Sequence, residues 1–312
     1  MTAISQALSD PLVAPVFRKA QQRCHSDGPA VPTGVGLALG GGFARGFAHL
    51  GVLQVLEENR VPISCIAGTS VGSILGAAYA TGAPLARIMA VCRTVRFKDF
   101  ARWRISRLGL ASNDRIANLV RDVFNSQTFE SLLIPTAVLA TDLGTGEPVV
   151  FQHGNLADAL RASCAFPGLF EPVRIGTRCL ADGGLVAQVP TQAARKMGAG
   201  CVIGVSVGSD NWDSSMPSSL FQVVARSISA AQKHQTQPWE SFADLVLQPD
   251  LQTINWDDFG RADEAIAAGV AAARQALPRI WALLKKSSEM AQETETNSWE
   301  AGSRLLEEVI VR

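Results

Sequence analysis

The sequence predicts an α/β fold in which a mainly parallel sheet is covered by helices on both faces. Several short runs are apolar at every position, without the alternation that would leave one face in water. Segments with helical spacing separate these runs, the order expected of a layered α/β domain. Glycine-rich turns stand where two of the apolar runs give way to helices.

Taken in order, residues 1–33 have no long apolar run, since the piece 11–17 is stopped by Arg18, Lys19 and Arg23. That is neither a secretory core nor a membrane span, and the segment reads as an N-terminal arm ending in a polar linker. Residues 35–39 read as a buried strand. After a glycine cluster, Phe47, Leu50, Val52, Leu53, Val55 and Leu56 fall at helical spacing as far as Glu57-Glu58-Asn59. A second strand is expected at 63–67 and an Ala-rich helix at 71–80, closed by Thr81-Gly82. Strands are expected at 136–141, 148–151, 178–181, 201–207 and 243–247, and helices at 156–163, 189–197, 221–235 and 262–284. No internal repeat is present. The main domain is therefore placed at 34–284. From Lys285 the chain turns polar and then weakly amphipathic (Trp299, Leu305, Leu306, Val309, Ile310), which reads as an appended tail, 285–312.

Composition narrows the classes of partner. Apolar residues make up 47% and charged residues 18% of the 312, as in a globular chain. Lys plus Arg equals Asp plus Glu, at 28 each, so no net field favours nucleic acid. The six cysteines (24, 65, 92, 164, 179 and 201) are scattered without a C-x-x-C pair. They read as buried thiols of a cytoplasmic protein. The acidic residues and histidines lack metal-ligand spacing, and no cofactor is expected.

Chemistry concentrates in three short stretches. Gly68-Thr69-Ser70-Val71-Gly72 is G-x-S-x-G between an expected strand and an expected helix. A sharp strand-to-helix turn presents a serine at the sheet edge, small flanking residues relieve the crowding, and the helix dipole favours negative charge there. Chance alone places roughly one such match in every five chains of this Gly and Ser content. A second match, Gly204-Val205-Ser206-Val207-Gly208, leads into a polar loop with no helix behind it, so Ser206 fails on context.

Gly40-Gly41-Gly42-Phe43-Ala44-Arg45-Gly46 also joins a strand to a helix. Successive glycines let backbone N–H groups converge on an anion. An oxyanion hole and a dinucleotide phosphate loop compete for this pattern, and a plain packing turn is the bland alternative. The nucleotide reading needs an acid at the end of the next strand, which instead ends Ile66-Ala67-Gly68-Thr69. Asp182-Gly183-Gly184 closes a later strand and on its own is a common turn signal. Of the histidines, His25 lies in the linker, His49 beside the glycine loop and His153 in a turn. His234 sits at a helix end, so a Ser70–Asp182–His234 triad is formally available as a minority mechanism.

Together these stretches resemble the bacterial patatin-like phospholipases, relatives of plant patatins and of the neuropathy target esterase catalytic domain. The resemblance rests on Leu37-Ala38-Leu39-Gly-Gly-Gly with Arg45-Gly46 and His49-Leu50-Gly51-Val52-Leu53, on Gly-Thr-Ser-Val-Gly, and on Asp-Gly-Gly. It extends through Ala140-Thr141-Asp142, the stretch 162–173 and the helix near 265–277. It implies a three-layer α/β/α fold with a nucleophile elbow, and a Ser–Asp dyad that hydrolyses acyl esters of lipids without histidine or metal. By position Ser70 becomes the nucleophile and Asp182 the base. Gly41, Gly42 and the Phe43 backbone hold the oxyanion, and Gly40, Arg45, Gly46, Gly68, Gly72, Gly183 and Gly184 complete the motifs. Two positions depart from the family pattern. Phe43 replaces a glycine of the loop, and the usual Asn after Asp-Gly-Gly-Leu is missing, its support lost or passed to Gln188.

Such a dyad makes a physical demand. An Asp with an ordinary pKa of about 3.9 is a poor base at neutral pH, so Asp182 must be buried. A catalytically idle scaffold or regulator of the same fold is the competing class, and intact Ser70 and Asp182 argue against it. The segment 93–107 holds six basic residues (93, 96, 98, 102, 104 and 107) against Asp99, with Phe97, Phe100 and Trp103 interleaved. It is either a surface element whose aromatics pack inward, the stronger reading, or a peripheral contact with anionic lipid.

Overall fold

The computed structural model describes residues 34–104, 106–123, 127–208, 216–217, 220–233 and 239–310. The expected arm 1–33 and His234 lie outside the described residues. In chain order the strands are β1 (Val35–Leu39), β2 (Ile63–Thr69), β3 (Arg102–Trp103), β4 (Ala111–Ser112), β5 (Thr136–Asp142), β6 (Pro148–Phe151), β7 (Val173–Ile175), β8 (Arg178–Asp182), β9 (Cys201–Val205) and β10 (Leu245–Leu247). The helices are α1 (Ala48–Glu58), α2 (Val71–Ala80), α3 (Leu85–Thr94), α4 (Phe97–Phe100), α5 (Arg115–Val123), α6 (Leu156–Ser163), α7 (Thr191–Lys196), α8 (Leu220–Lys233) and α9 (Ala262–Ile310).

Strands β10, β9, β1, β2 and β5 are parallel neighbours in that order. Every residue of β1 and β9 is buried, which explains why their runs are apolar throughout. Side chains of β1 alternate between the two faces. Val35, Leu37 and Leu39 join a large core with α1, α2, α3 and α9. Ala38 joins a smaller core with Ala67, Ala137 and Ala194 of α7. The small residues on that second face let α7 lie close to the sheet. Helices thus cover both faces, as a three-layer α/β/α fold requires. The margin beyond β5 is antiparallel: β6 and β8 run against β5, and β7 against β8.

One feature of the pairing positions the site. Val138 and Leu139 of β5 pair with both β2 and β6, while Ala140 and Thr141 pair with both β6 and β8. A strand has two edges, so β2 and β8 must share the edge opposite β6. β2 runs along it to Thr69, opposite Leu139, and β8 runs the other way to Asp182, opposite Ala140. The two strands therefore end head to head at adjacent rungs.

The large core is locked by a close crossing of α1 and α9. A Cβ on Gly51 would lie 2.0 Å from Ile266 O, and one on Gly269 would lie 1.9 Å from Ala48 O. Backbone meets backbone at this crossing, and no larger side chain fits. α9 itself does not stop near Leu284 but continues to Ile310, through the segment expected to be a separate tail. Between 83 and 135, where sequence reading assigns no element, lie α3, α4, α5 and the short β3–β4 hairpin.

Candidate active site

Ser70 stands between β2 and α2 with φ 52° and ψ −127°, a left-handed turn that costs energy for any non-glycine residue. Surrounding bonds hold it there. Its N–H donates to Ser163 Oγ at 2.9 Å, and its carbonyl accepts from Ser73 N at 2.9 Å and Ser73 Oγ at 2.6 Å. Gly72 is required by close approach, since a Cβ there would lie 2.3 Å from Leu39 O. The start of α2 is thereby pressed against the end of β1, and the helix points its positive end at Ser70.

Asp182 closes β8 and is 3% exposed. Its N–H donates to Ala165 O at 2.9 Å, its carbonyl accepts from Thr141 Oγ1 at 2.9 Å, and its Oδ1 accepts from Gly184 N at 2.8 Å. This last bond accounts for the Asp-Gly-Gly pattern. The other oxygen, Oδ2, has no hydrogen-bond partner among the described residues. Burial raises the Asp182 pKa to about 7, against smaller opposing effects of the Gly184 N–H and the nearby Ser70 hydroxyl. The carboxylate is thus close enough to Ser70 to feel its hydroxyl, while its outer oxygen remains unbonded at rest.

In the glycine loop, Gly40 N–H donates to Val205 O and Gly41 N–H to Gln188 O, each at 3.1 Å, and Ala44 N–H donates to Trp256 O at 3.0 Å. The Gly41 amide, expected among the oxyanion donors, is therefore already committed to a backbone carbonyl. Gly42 and Phe43 remain as candidate donors. Phe43 replaces glycine without loss of the turn because it adopts φ 50°. Its ring packs edge-on to Phe166 and Trp256, at centroid distances of 5.5 and 5.3 Å. Gln188, the residue expected to receive the support of the missing Asn if it is not lost, bonds the glycine loop: its side-chain Nε2 donates to Gly41 O at 3.2 Å, so it grips Gly41 through both backbone groups. Arg45 is partly buried, and its Nε donates to Ile254 O at 2.7 Å. It ties the loop to 251–254.

His49 is fully buried and its Nε2 bonds Gly40 O at 2.8 Å, so that nitrogen carries the proton. Burial lowers its pKa to about 4 and keeps it neutral. It braces the glycine loop from behind. His153 is on the surface beside Glu130. Ser206 follows β9, its N–H bonded to Leu247 O, and no helix begins behind it through Gly208.

Two cavities meet at this point. One, about 90 Å³, is lined by apolar side chains including Ile74, Ala78, Ile88, Cys92, Ile116 and Phe170. The other, about 470 Å³, has a mixed lining in which Asp182, Gln188, Gln222, Arg226, Gln232 and Asn255 stand among apolar side chains such as Phe166, Leu185 and Trp256. Only Ser70 and Phe43 line both. Sequence reasoning missed Ser163, which anchors the elbow, and Cys164, buried beside Ser70 with its thiol pKa pushed up mainly by desolvation. It also missed Gln232 on α8, which donates to Gly184 O and, at 3.3 Å, to Gln188 Oε1.

Fold and site define a class of protein: a three-layer α/β/α domain whose elbow serine faces a buried carboxylate beside a glycine loop. Residues 37–195 match the family model of patatin-like phospholipase, and the chain belongs to that family. It is 39% identical over 188 residues to an uncharacterized NTE family protein of Mycobacterium tuberculosis, Rv1063c, covering 55% of this chain and 49% of that one. Another from the same organism, Rv2565, is 29% identical over 273 residues, covering 78% and 46%. Mouse patatin-like phospholipase domain-containing protein 6 is 33% identical over 191 residues, 57% of this chain and 14% of its own length. The chain spans about half the length of its mycobacterial relatives. Among solved structures, VipD from Legionella pneumophila shares the fold, with a TM-score of 0.55 at 14% identity over 82% of this chain and 67% of VipD.

Proposed function

We propose that this protein is a serine acyl-hydrolase that cleaves carboxylic esters of lipids through a Ser70–Asp182 dyad. The observation that carries the reading is the position of Ser70 at the junction of an apolar cavity and a wider cleft that holds polar and charged side chains. An ester with an acyl chain on one side and a polar alcohol on the other has its carbonyl at that junction.

Ser70 Oγ attacks the carbonyl carbon and its proton passes to Asp182 Oδ2, the oxygen with no other partner. The carbonyl oxygen becomes an oxyanion that accepts hydrogen bonds from Gly42 N–H and Phe43 N–H. As the tetrahedral intermediate collapses, the alcohol leaves with the proton from Asp182, and the acyl group stays on Ser70. Water then attacks the acyl-enzyme, Asp182 takes its proton, and collapse returns a proton to Ser70 Oγ as the fatty acid departs. A base with a pKa of about 7 is about half ionised at neutral pH and still basic enough to accept the serine proton.

Buried, unpaired Cys65, Cys92, Cys164 and Cys201 are in keeping with a cytoplasmic setting, whereas Cys179, expected to be a buried thiol, is exposed and Cys24 lies outside the described residues. No helix among the described residues is long and apolar enough to cross a membrane. The reading therefore brings the enzyme to its lipid at a membrane surface, with the segment 93–107 as the contact.

A p-nitrophenyl ester series tests the catalytic reading, with a fluorophosphonate probe as a covalent reporter. Ser70→Ala is expected to lose both turnover and labelling. Labelling that survived this change would move the nucleophile elsewhere.

A further inference from the structure

The basic and aromatic segment behaves as two different surfaces. Arg93 is paired with Asp263 at 2.7 Å, Arg102 lies 3.6 Å from Asp114, and Asp99 accepts from Arg96 N. Phe97 and Phe100 pack inward, as the more ordinary reading of the segment expects, with Phe97 stacked on Phe170 at 6.0 Å. Trp103 does not. It is 66% exposed on the β3–β4 hairpin, and beyond it Leu108 and Leu110 are 67% and 40% exposed. Lys98, Arg104 and Arg107 lie within a few residues of these along the chain, all are exposed, and none has an acidic partner among the described residues.

The base of the hairpin is built into the wall of the apolar cavity. Leu110 N and Ala111 N both donate to Leu169 O, at 3.0 and 2.9 Å, and Glu171 N donates to Ala111 O at 3.0 Å. Ala111 is fully buried against Phe170, which lines the cavity together with Phe100. An exposed apolar tip, with cations near it in sequence that have no acidic partner among the described residues, is thus joined through a few residues to the compartment that ends at Ser70.

We propose that the tip of this hairpin, with Trp103 and Leu108 as its apolar points and Lys98, Arg104 and Arg107 as its charges, docks on an anionic lipid bilayer and draws acyl chains from it into the cavity. The inference rests on the acyl-hydrolase reading for the use made of the surface, while the docking itself does not need catalysis. Charge decides the occupant. Unpaired cations around a Trp and leucines complement an anionic headgroup layer over an apolar interior, where Trp favours the boundary. It also narrows the contact, because Arg93 and Arg102 already face acids and Arg96 is turned to the carbonyls of Arg93 and Val95.

Co-sedimentation tests the surface, in a Ser70→Ala background so that the lipid is not consumed. The probes are vesicles of phosphatidylcholine alone and with a minor fraction of phosphatidylglycerol. Binding is expected only with the anionic lipid and is expected to weaken with salt. Arg104→Gln with Arg107→Gln should lower the partition coefficient about thirtyfold, the factor for two cations at a negative surface. Trp103→Ala with Leu108→Ala should lower it by at least about tenfold. In the Ser70-intact protein, both pairs should leave hydrolysis of a soluble p-nitrophenyl ester unchanged. Binding untouched by either pair would overturn the proposal. So would a change of sedimenting mass in the absence of lipid, which would assign the face to a second copy of the chain. Anionic binding that depends on the hairpin, with no ester turnover by the intact protein, would sink the catalytic reading and leave the docking surface standing.

Discussion

Asp182→Asn separates the cost of the catalytic base from its use. The carboxyl has a pKa of about 7 in the fold against an ordinary value of 3.8, and burial is the main cause. The unfolded chain releases this proton near pH 3.8 and the native protein near 7. Between those values the native state holds more protons than the unfolded one, so stability falls as pH rises, and above about 7 the full cost is in force. A gap of about three pH units corresponds to about 4 kcal/mol. Asparagine keeps an oxygen for the Gly184 N–H and carries no charge, so the variant escapes this cost. His49 contributes with the opposite sign: its pKa is lowered to about 4, and native stability rises with pH through that window. The difference between variant and parent cancels this common contribution.

Thermal melts of the two proteins should therefore coincide near pH 4, separate progressively as the pH rises to about 7, and stay apart above it. There the variant should melt on the order of 10 °C higher, at the few degrees per kcal/mol of a domain this size. Ester turnover should fall by at least about a thousandfold in the variant. The kcat/KM of the parent should rise with pH through about 7, as its base ionises. A variant no more stable than the parent at alkaline pH would refute the assignment of a strained, desolvated carboxylate. One that kept its turnover would remove Asp182 from the chemistry altogether.

Ser163→Ala leaves the Ser70 N–H without its acceptor at a half-buried turn; a loss of about 1–3 kcal/mol in denaturant unfolding and a drop in kcat greater than any rise in KM are expected. Gly72→Ala should prevent the elbow from forming, since the added carbon meets the Leu39 carbonyl; soluble protein with normal fluorophosphonate labelling would contradict the packing described. Ala78→Leu adds bulk inside the apolar cavity and should shift the p-nitrophenyl ester profile toward shorter chains while sparing the acetate. An unchanged chain-length profile would show that the acyl group lies elsewhere. His49→Leu removes the donor to Gly40 O and should cost about 1–3 kcal/mol without moving the pH–rate profile near neutrality, because the imidazole is already uncharged there.

Much of this protein can be read along the chain, because the relevant forces act over a few residues. A strand buried on both faces must be apolar at every position, so β1 and the central run of β2 announce themselves. The turn at Ser70 needs small neighbours, and those neighbours sit within two positions of it. The family pattern of Gly-Gly-Gly, Gly-Thr-Ser-Val-Gly and Asp-Gly-Gly belongs to the same local grammar, as does the demand that Asp182 be buried.

Other features depend on groups brought together by register and burial, which leave no spacing to detect. Ser163 reaches the Ser70 amide across 93 residues of chain. The commitment of Gly41 N–H to Gln188 O is set by where the loop after β8 lands, and a glycine loop reads the same whether its amides are occupied or free. The helical segments α3 and α5 lie in a stretch where basic residues on one face obscure a short apolar stripe, and only packing against the core defines them. The passage of α9 through 285–310 likewise escapes a reading that follows loss of hydrophobicity. The meeting of β2 and β8 at adjacent rungs of β5 is the largest such decision. Composition specified a serine on a turn and an aspartate on a strand end; antiparallel pairing at the sheet margin put the two beside each other.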